Sequence, residues 1–285
     1  MISFILAIVL SSSILVVFRL LERFKVSILP TIVVNYLVAL LFGVLSGSAK
    51  LEPNEPFWTS SWMPAALFNG IMFIVVYIWI GISAKRAGIA MTSVAGKMSV
   101  VFPVLMGFLL LDEQLSFLRV VGIIGALLAF WLTFKKQEGI KHQWKDFLFP
   151  ALLFVGTGIS DSTLKFAQAK YLTTQGNTYL AVVFGYAMIT GIGFLLIQHF
   201  AKRDVKITSR DIVAGVIMGL LNWWSTVFLM KTIAQYDSSV FFPIFNASIV
   251  SIAALNGVIF FKERLRWINW LGIGLAIVAI VLIAS

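Results

Sequence analysis

"LLLDEQLSFLRVVGIIGALLA", residues 109–129, and "IFFKERLRWINWLGIGLAIVA", residues 259–279, are two versions of one pattern set 150 positions apart (259 − 109). Each places an acidic residue, Glu113 or Glu263, in a short polar link between two apolar runs, follows it with Leu115 or Leu265, and enters the next run through Gly122 or Gly272. Laid without gaps, residues 88–134 over 238–284 also match Val100 with Val250, Leu105 with Leu255, Gly107 with Gly257, Ile123 with Ile273 and Ala126 with Ala276. Apolar sequences match easily by chance, but a shared Glu-x-Leu followed by the same glycine is harder to obtain that way. An ancient duplication is the reading. The midpoint falls in "KKQEGIKHQWKD", residues 135–146, so the expected division is a first repeat over 1–135, a basic cytoplasmic linker over 136–146 and a second repeat over 147–285.

Composition fixes the surroundings of both repeats. Of the 285 residues, 60% are hydrophobic and only 12% charged, which is far from the balance of a soluble domain. A bilayer core about 30 Å thick needs roughly 20 apolar residues per helical crossing, leaving room for about ten crossings and almost no soluble domain. The apolar runs predict spans at 2–18, 28–48, 62–83, 90–111, 118–134, 147–165, 179–199, 212–231, 239–261 and 267–284. Period-2 alternation is missing, so the expected class is an all-α integral membrane protein. Five crossings per repeat is an odd number, so the second copy enters from the opposite side. Two inverted five-helix repeats follow, the architecture of alternating-access carriers with a midplane site where the halves meet.

The links alternate in charge. Links one, three, five, seven and nine hold Arg19, Arg23 and Lys25; Lys85 and Arg86; Lys135, Lys136, Lys141 and Lys145; Lys202, Arg203, Lys206 and Arg210; and Lys262, Arg264 and Arg266. These are sixteen of the 22 basic residues. By the positive-inside rule those links face the cytoplasm of an inner-membrane protein and both termini lie outside. The net charge of +10 is thereby a topology signal and implies no nucleic-acid partner. Trp58, Trp62, Trp131, Trp144, Trp267 and Trp270 fall near expected helix ends, as interfacial anchors do. There is no cysteine, and the two histidines, His142 and His199, sit in polar flanks, so neither a metal nor another cofactor is expected. The first apolar run lacks a basic leader and a small-residue cleavage site and reads as a retained helix.

Ten helices in a 5+5 arrangement, each half closed by the Glu-x-Leu stretch quoted above, resemble the drug/metabolite transporter superfamily, specifically its EamA-type permeases. The resemblance covers essentially the whole chain. It implies a bundle around a central cavity that moves small metabolites such as amino acids. It also implies cytoplasmic termini, the reverse of the orientation that the charge bias predicts.

Charges inside apolar spans are the candidates for function. Lys97 lies about seven residues into its span, roughly 10 Å along the axis at 1.5 Å per residue. A charge at that depth costs about 2.5 to 3.5 kcal/mol unless a partner or a watery cavity receives it. Snorkelling to the interface is the plain alternative to binding a substrate carboxylate or phosphate. Pro103 cannot donate to the carbonyl of Ser99, which leaves a polar acceptor one turn from the lysine, and Pro243 does the same to Ser239. Asp161 and Lys165, four apart, share a helix face. They are either a structural pair or, with Asp161 as proton acceptor, a coupling device.

Asn35, Tyr36, Asn69, Tyr77, Tyr186, Asn222, Trp223, Trp224 and Asn246 are candidate substrate-binding groups, each also open to a purely structural reading. Glu113 and Glu263 read as architecture, capping the helix that follows. Gly122, Gly125, Gly272 and Gly274 permit close helix approach within the chain or between two copies, so a homodimer is admissible.

No "GxxxxGK[ST]" loop binds ATP, and neither "HExxH" nor "GxSxG" is present. A secondary transporter for an amino-acid-like or other anionic or zwitterionic solute, working by proton coupling or exchange, is the leading reading, with the lipid bilayer and the small molecule as partners. A flippase for a lipid-linked substrate on the same fold is the alternative. A membrane-embedded enzyme ranks behind both.

Overall fold

The computed structural model of the chain describes residues 2–46, 57–110, 116–134, 144–172, 175–201, 207–233, 238–263 and 265–284, without the side chains of residues 57, 130, 133–134, 144–147, 230–233, 238–244 and 283–284. Among the described residues there is no strand. The helices are α1 (Ile2–Arg23), α2 (Ile28–Leu45), α3 (Met63–Ala87), α4 (Ile89–Met98), α5 (Val101–Leu110), α6 (Phe117–Phe134), α7 (Trp144–Lys170), α8 (Gly176–Phe200), α9 (Ser209–Ile233), α10 (Ser238–Ile259) and α11 (Trp267–Ala284). Among the described residues, six stretches are long and apolar enough to cross a bilayer: Ile2–Arg23, Ile28–Leu45, Met63–Ala87, Ile89–Leu110, Gly176–Phe200 and Ser209–Leu229. Each expected span coincides with a helix, and the fourth is divided between α4 and α5. An apolar chain in lipid has to satisfy its backbone internally, and helices do so segment by segment.

The helix break falls at Ser99–Val100, just before Pro103. The carbonyl of Ser99, expected to be left over, is taken by the backbone N–H of Phe102 at 3.0 Å. A tighter turn therefore absorbs the acceptor that proline cannot reach. Helix α10 continues through Pro243, whose side chain lies outside the described residues.

Two compact units make up the chain. The first comprises Met1–Arg19, Trp79–Ile159 and Trp224–Ser285, and the second Leu20–Ile78 and Ser160–Trp223. Each draws on both halves of the sequence, and α1, α3, α7 and α9 contribute to both units.

The core of the first unit is built from α4, α5, α6, α10 and α11, with Ala90, Val94, Met98, Val101, Ala126, Ala129, Val250, Ala254, Ile273, Ala276, Ala279 and Ile280 buried together. Alanines dominate because lipid supplies no hydrophobic drive between helices, and small side chains let backbones gain close dispersion contact. A Cβ on Gly125 would stand 3.3 Å from that of Ala279, so α6 and α11 meet tightly there. Gly274, expected to serve the same end, has nothing within 4 Å. In the second unit, α2 packs along α8.

Candidate functional site

In the second unit the spacing Gly215-x-x-x-Gly219 on α9 decides what meets what. A Cβ on Gly215 would come within 2.5 Å of Val34 Cβ and 2.8 Å of the Thr31 carbonyl. One on Gly219 would come within 2.6 Å of Val38 Cβ and 2.8 Å of the Asn35 carbonyl. The backbones of α2 and α9 are thus in direct contact, which only glycine permits. Three residues beyond Gly219, Asn222 reaches α2, where its Nδ2 donates to Asn35 Oδ1 at 3.3 Å. From α3, Tyr77 Oη donates to Asn222 Oδ1 at 3.1 Å. The Tyr77 ring lies 5.4 Å from that of Tyr36, which in turn stacks on Phe184 of α8 at 6.0 Å.

This chain of groups from α2, α3 and α9 ends in two orphans. Asn35 and Tyr36 are both 0% exposed, yet Asn35 Nδ2 and Tyr36 Oη have no hydrogen-bond partner among the described residues. A buried unmade hydrogen bond costs about 1 to 3 kcal/mol. Both atoms can donate, so the cluster offers N–H and O–H groups to an acceptor oxygen beside aromatic rings. It carries no formal charge.

A second network lies in the same unit. Asn69 Nδ2 donates to Tyr179 Oη at 2.8 Å, and Ser160 Oγ donates to Asn69 Oδ1 at 3.1 Å, so Asn69 is satisfied through both ends of its amide. Trp62, expected at the interface, is 3% exposed; its indole N–H donates to Gln175 Oε1 at 2.7 Å and its ring meets Tyr179 edge-on. It is an interior hydrogen-bonding group instead of a belt anchor, whereas Trp58, Trp131, Trp267 and Trp270 are exposed as expected. Tyr186 Oη donates to Met63 Sδ at 3.4 Å. Trp223 is buried with its ring over Gly43. On α7, Asp161 is exposed and Lys165 half-buried.

Lys97, Trp224 and Asn246 belong to the first unit. Half-buried Lys97 occupies the last turn of α4, where a cation meets the negative end of the helix dipole. Its Nζ stands 5.4 Å from the ring centroid of Phe245, in cation–π range. Phe245 is buried with Ala7, Ile8 and Ile249. One turn before Lys97, the buried Ser93 Oγ has no partner among the described residues, and neither does Ser12 Oγ on α1. Asn246 is buried beside Phe245 in sequence. Trp224, the neighbour of Trp223, is 42% exposed and stacks on Phe228.

Glu263 caps a helix, but not the one that follows it. Its Oε1 accepts the backbone N–H of Ile89 at 2.8 Å, and its Oε2 that of Ala90 at 3.4 Å, so it closes the start of α4. The N-terminal turn of α11 is closed by Asn269 Oδ1, which accepts from the Arg266 N–H at 3.0 Å. Glu113 lies outside the described residues. Sequence reasoning missed Ser160, Tyr179, Phe184 and Ser93. It also missed Asp211, which accepts from the Ser27 N–H at 2.7 Å and the Thr208 N–H at 2.6 Å and so ties α2 to α9. The glycine spacing at 215 and 219 was the readable signal for the α2–α9 contact.

A helical integral membrane protein with amides, phenols and an ammonium group in its interior is the class that fold and site define. Residues 148–285, just under half of the chain, match the model of the EamA-like transporter family, and the chain resembles that family of membrane transporters for small solutes. It is similar to an uncharacterized protein of Haemophilus influenzae (strain ATCC 51907 / DSM 11121 / KW20 / Rd), at 27% identity over 284 residues that cover 97% of this chain and 95% of the relative. A crystal structure of a protein aligns at TM-score 0.61 and 15% identity over 99% of this chain and 94% of the other, which supports the fold.

Proposed function

We propose that the protein is a secondary transporter that moves an amino-acid-like, anionic or zwitterionic metabolite across the inner membrane by alternating access of two inverted repeats. The observation that carries this reading is Lys97, an ammonium held at a helix break inside an apolar bundle, over the ring of Phe245. An ammonium at that depth is suited to receive the anionic group of a solute. Energy comes from a gradient or from exchange, with Asp161 as the group that takes up and releases a proton if the gradient is one of protons. Asp161→Asn then uncouples transport from the proton gradient; transport that still follows the gradient rejects this role.

A second reading rests on the orphaned Asn35 Nδ2 and Tyr36 Oη, which favour an uncharged substrate bearing an acceptor oxygen. Thermal stabilisation of the purified protein by amino acids, organic acids, sugars and nucleosides separates the two, because a ligand that binds the folded state raises its apparent stability. An acid or amino acid that stabilises the parent but not Lys97→Ala supports the first reading. A neutral compound that stabilises the parent and Lys97→Ala alike, but not Asn35→Leu, overturns it in favour of the second.

A further inference from the structure

One residue, Gly88, joins α3 to α4, and its φ of +88° is left-handed backbone that glycine adopts without strain. Both helix ends at this corner are held by charged groups from distant parts of the chain. Arg19 of α1 donates to the carbonyls of Ala84 at 3.2 Å and Lys85 at 2.7 Å, in the last turn of α3. Glu263 accepts the first N–H groups of α4, two of the orphan donors that every helix start leaves. The carboxylate has a fitted seat: a Cβ on Gly88 would come within 2.6 Å of Oε1, and one on Gly257 within 2.5 Å of Oε2. Ser83 and Thr92 share a hydrogen bond of 2.8 Å across the corner.

Helix α4 is only ten residues long, ends at the Ser99–Val100 break and carries Lys97 in its last turn. Eight residues, about 12 Å of helix, separate the Lys97 backbone from the capped N–H of Ile89. We propose that Glu263 is a positioning residue for transport, which holds α4 and with it Lys97 while its carboxylate is charged and, itself staying buried, releases α4 on taking up a proton. The consequence for transport rests on the reading of Lys97 given above; the hold on α4 does not.

Protonation leaves the carboxyl one carbonyl oxygen to accept with and removes the charge that favours the helix start. Burial pushes the Glu263 carboxyl above the usual carboxylate range, against the pull of the Ile89 and Ala90 N–H groups and of the Arg19 charge. The group that opposes burial from α1 is Arg19. The last turn of α3 adds Lys85 and Arg86, the latter over the Phe149 ring at 5.2 Å. The first turn of α4, Ile89 to Thr92, and the last turn of α10, Asn256 to Ile259, contain no titratable side chain, and the link itself contributes Lys262 and Arg266, with Arg264 outside the described residues.

The chain has no cysteine, so Gly96→Cys provides a single reporter on α4, where a Cβ meets only Leu153 Cδ2 at an ordinary 3.9 Å. Its labelling by N-ethylmaleimide in lipid nanodiscs is measured from about pH 4.5 to about pH 8, a window starting near the ordinary Glu value, with Glu263 intact and with Glu263→Gln. The ratio of the two rates cancels the ionisation of the thiol. It is expected near one at the acid end, where the protonated carboxyl resembles the amide, and several-fold in favour of Glu263→Gln at the alkaline end. A ratio that does not change with pH overturns the proposal.

Hydrogen exchange needs no variant. Protection of residues 89–98 relative to 28–45 in the unsubstituted protein falls on acidification if Glu263 holds α4, and stays constant if it does not. Neither measurement uses a substrate, so failure here leaves Lys97 as the anion site, and failure of Lys97 as the anion site leaves the latch standing.

Discussion

Tyr36 and Tyr77 are neighbours with opposite accounts to give. Tyr77 Oη donates to Asn222, whereas Tyr36 Oη is buried without a partner among the described residues. Tyr77→Phe should lower stability by about 1 kcal/mol, the worth of one net hydrogen bond, read as a lower apparent Tm in detergent. Tyr36→Phe should leave stability unchanged or raise it, because a desolvated hydroxyl disappears with no bond lost. A clear loss of stability in Tyr36→Phe would show that its hydroxyl is satisfied in the folded protein. Asn222→Leu removes both the acceptor of the Tyr77 hydroxyl and the donor to Asn35, so a larger cost of about 1 to 3 kcal/mol is expected. These asparagines and tyrosines were conspicuous in the sequence, since polar residues in apolar spans stand out. Their partners were not: Asn222 meets Asn35 across 187 positions and Asn69 meets Tyr179 across 110.

At the scale of elements, the close approaches of helices can be tested one glycine at a time. Gly219→Ala places a methyl group against Val38 and the Asn35 carbonyl, and overpacking of that kind costs about 1 to 3 kcal/mol. It should also separate Asn222 from Asn35. Gly274→Ala meets nothing within 4 Å, so it should be neutral or gain up to about 1 kcal/mol of helix propensity. Equal Tm values for the two variants would refute the tight α2–α9 contact.

Helix α4 adds a pH dependence. With its carboxyl raised by burial, Glu263 contributes stability against complete unfolding that is full below the unfolded value near 4.5 and is lost as pH rises through the higher folded value, whereas the Ile89 and Ala90 N–H groups pull the carboxyl down and are the contacts that a proton weakens locally. Glu263→Gln should flatten the pH profile of Tm in that window; an unaltered profile would mean that the carboxyl is not shifted. That Glu263 serves a helix was legible in its short polar link. Which helix it serves was not, because the capped amide lies 174 positions away.

For the whole molecule the open matter is orientation in the membrane, for which charge counting and family resemblance give opposite answers. Single cysteines in this cysteine-free chain decide it. If the charge bias rules, a cysteine in the 135–146 link is protected from a membrane-impermeant thiol reagent in intact cells, and one in the 47–56 link is labelled. The opposite pattern would assign cytoplasmic termini. The inverted repeat is a proposal on the same scale. The pair α6 and α11, Phe117–Phe134 and Trp267–Ala284, have the same length at the same 150-residue offset (267 − 117) as the two aligned stretches, which supports it.

The sequence by itself determined the medium, the helices and the resemblance to a transporter family, because those follow from local quantities: apolar length against bilayer thickness, links rich in polar residues, and a motif repeated along the chain. It also marked which polar residues lie at depth. Only the tertiary structure decided their partners: Asn35 with Asn222 and Tyr77, Lys97 with Phe245, Glu263 with the start of α4, and Trp62 with Gln175. A helix turns a residue toward one neighbour or another according to how closely two backbones approach. In lipid that distance is set by small residues on helices far apart in the sequence, as Gly215 and Gly219 set it here.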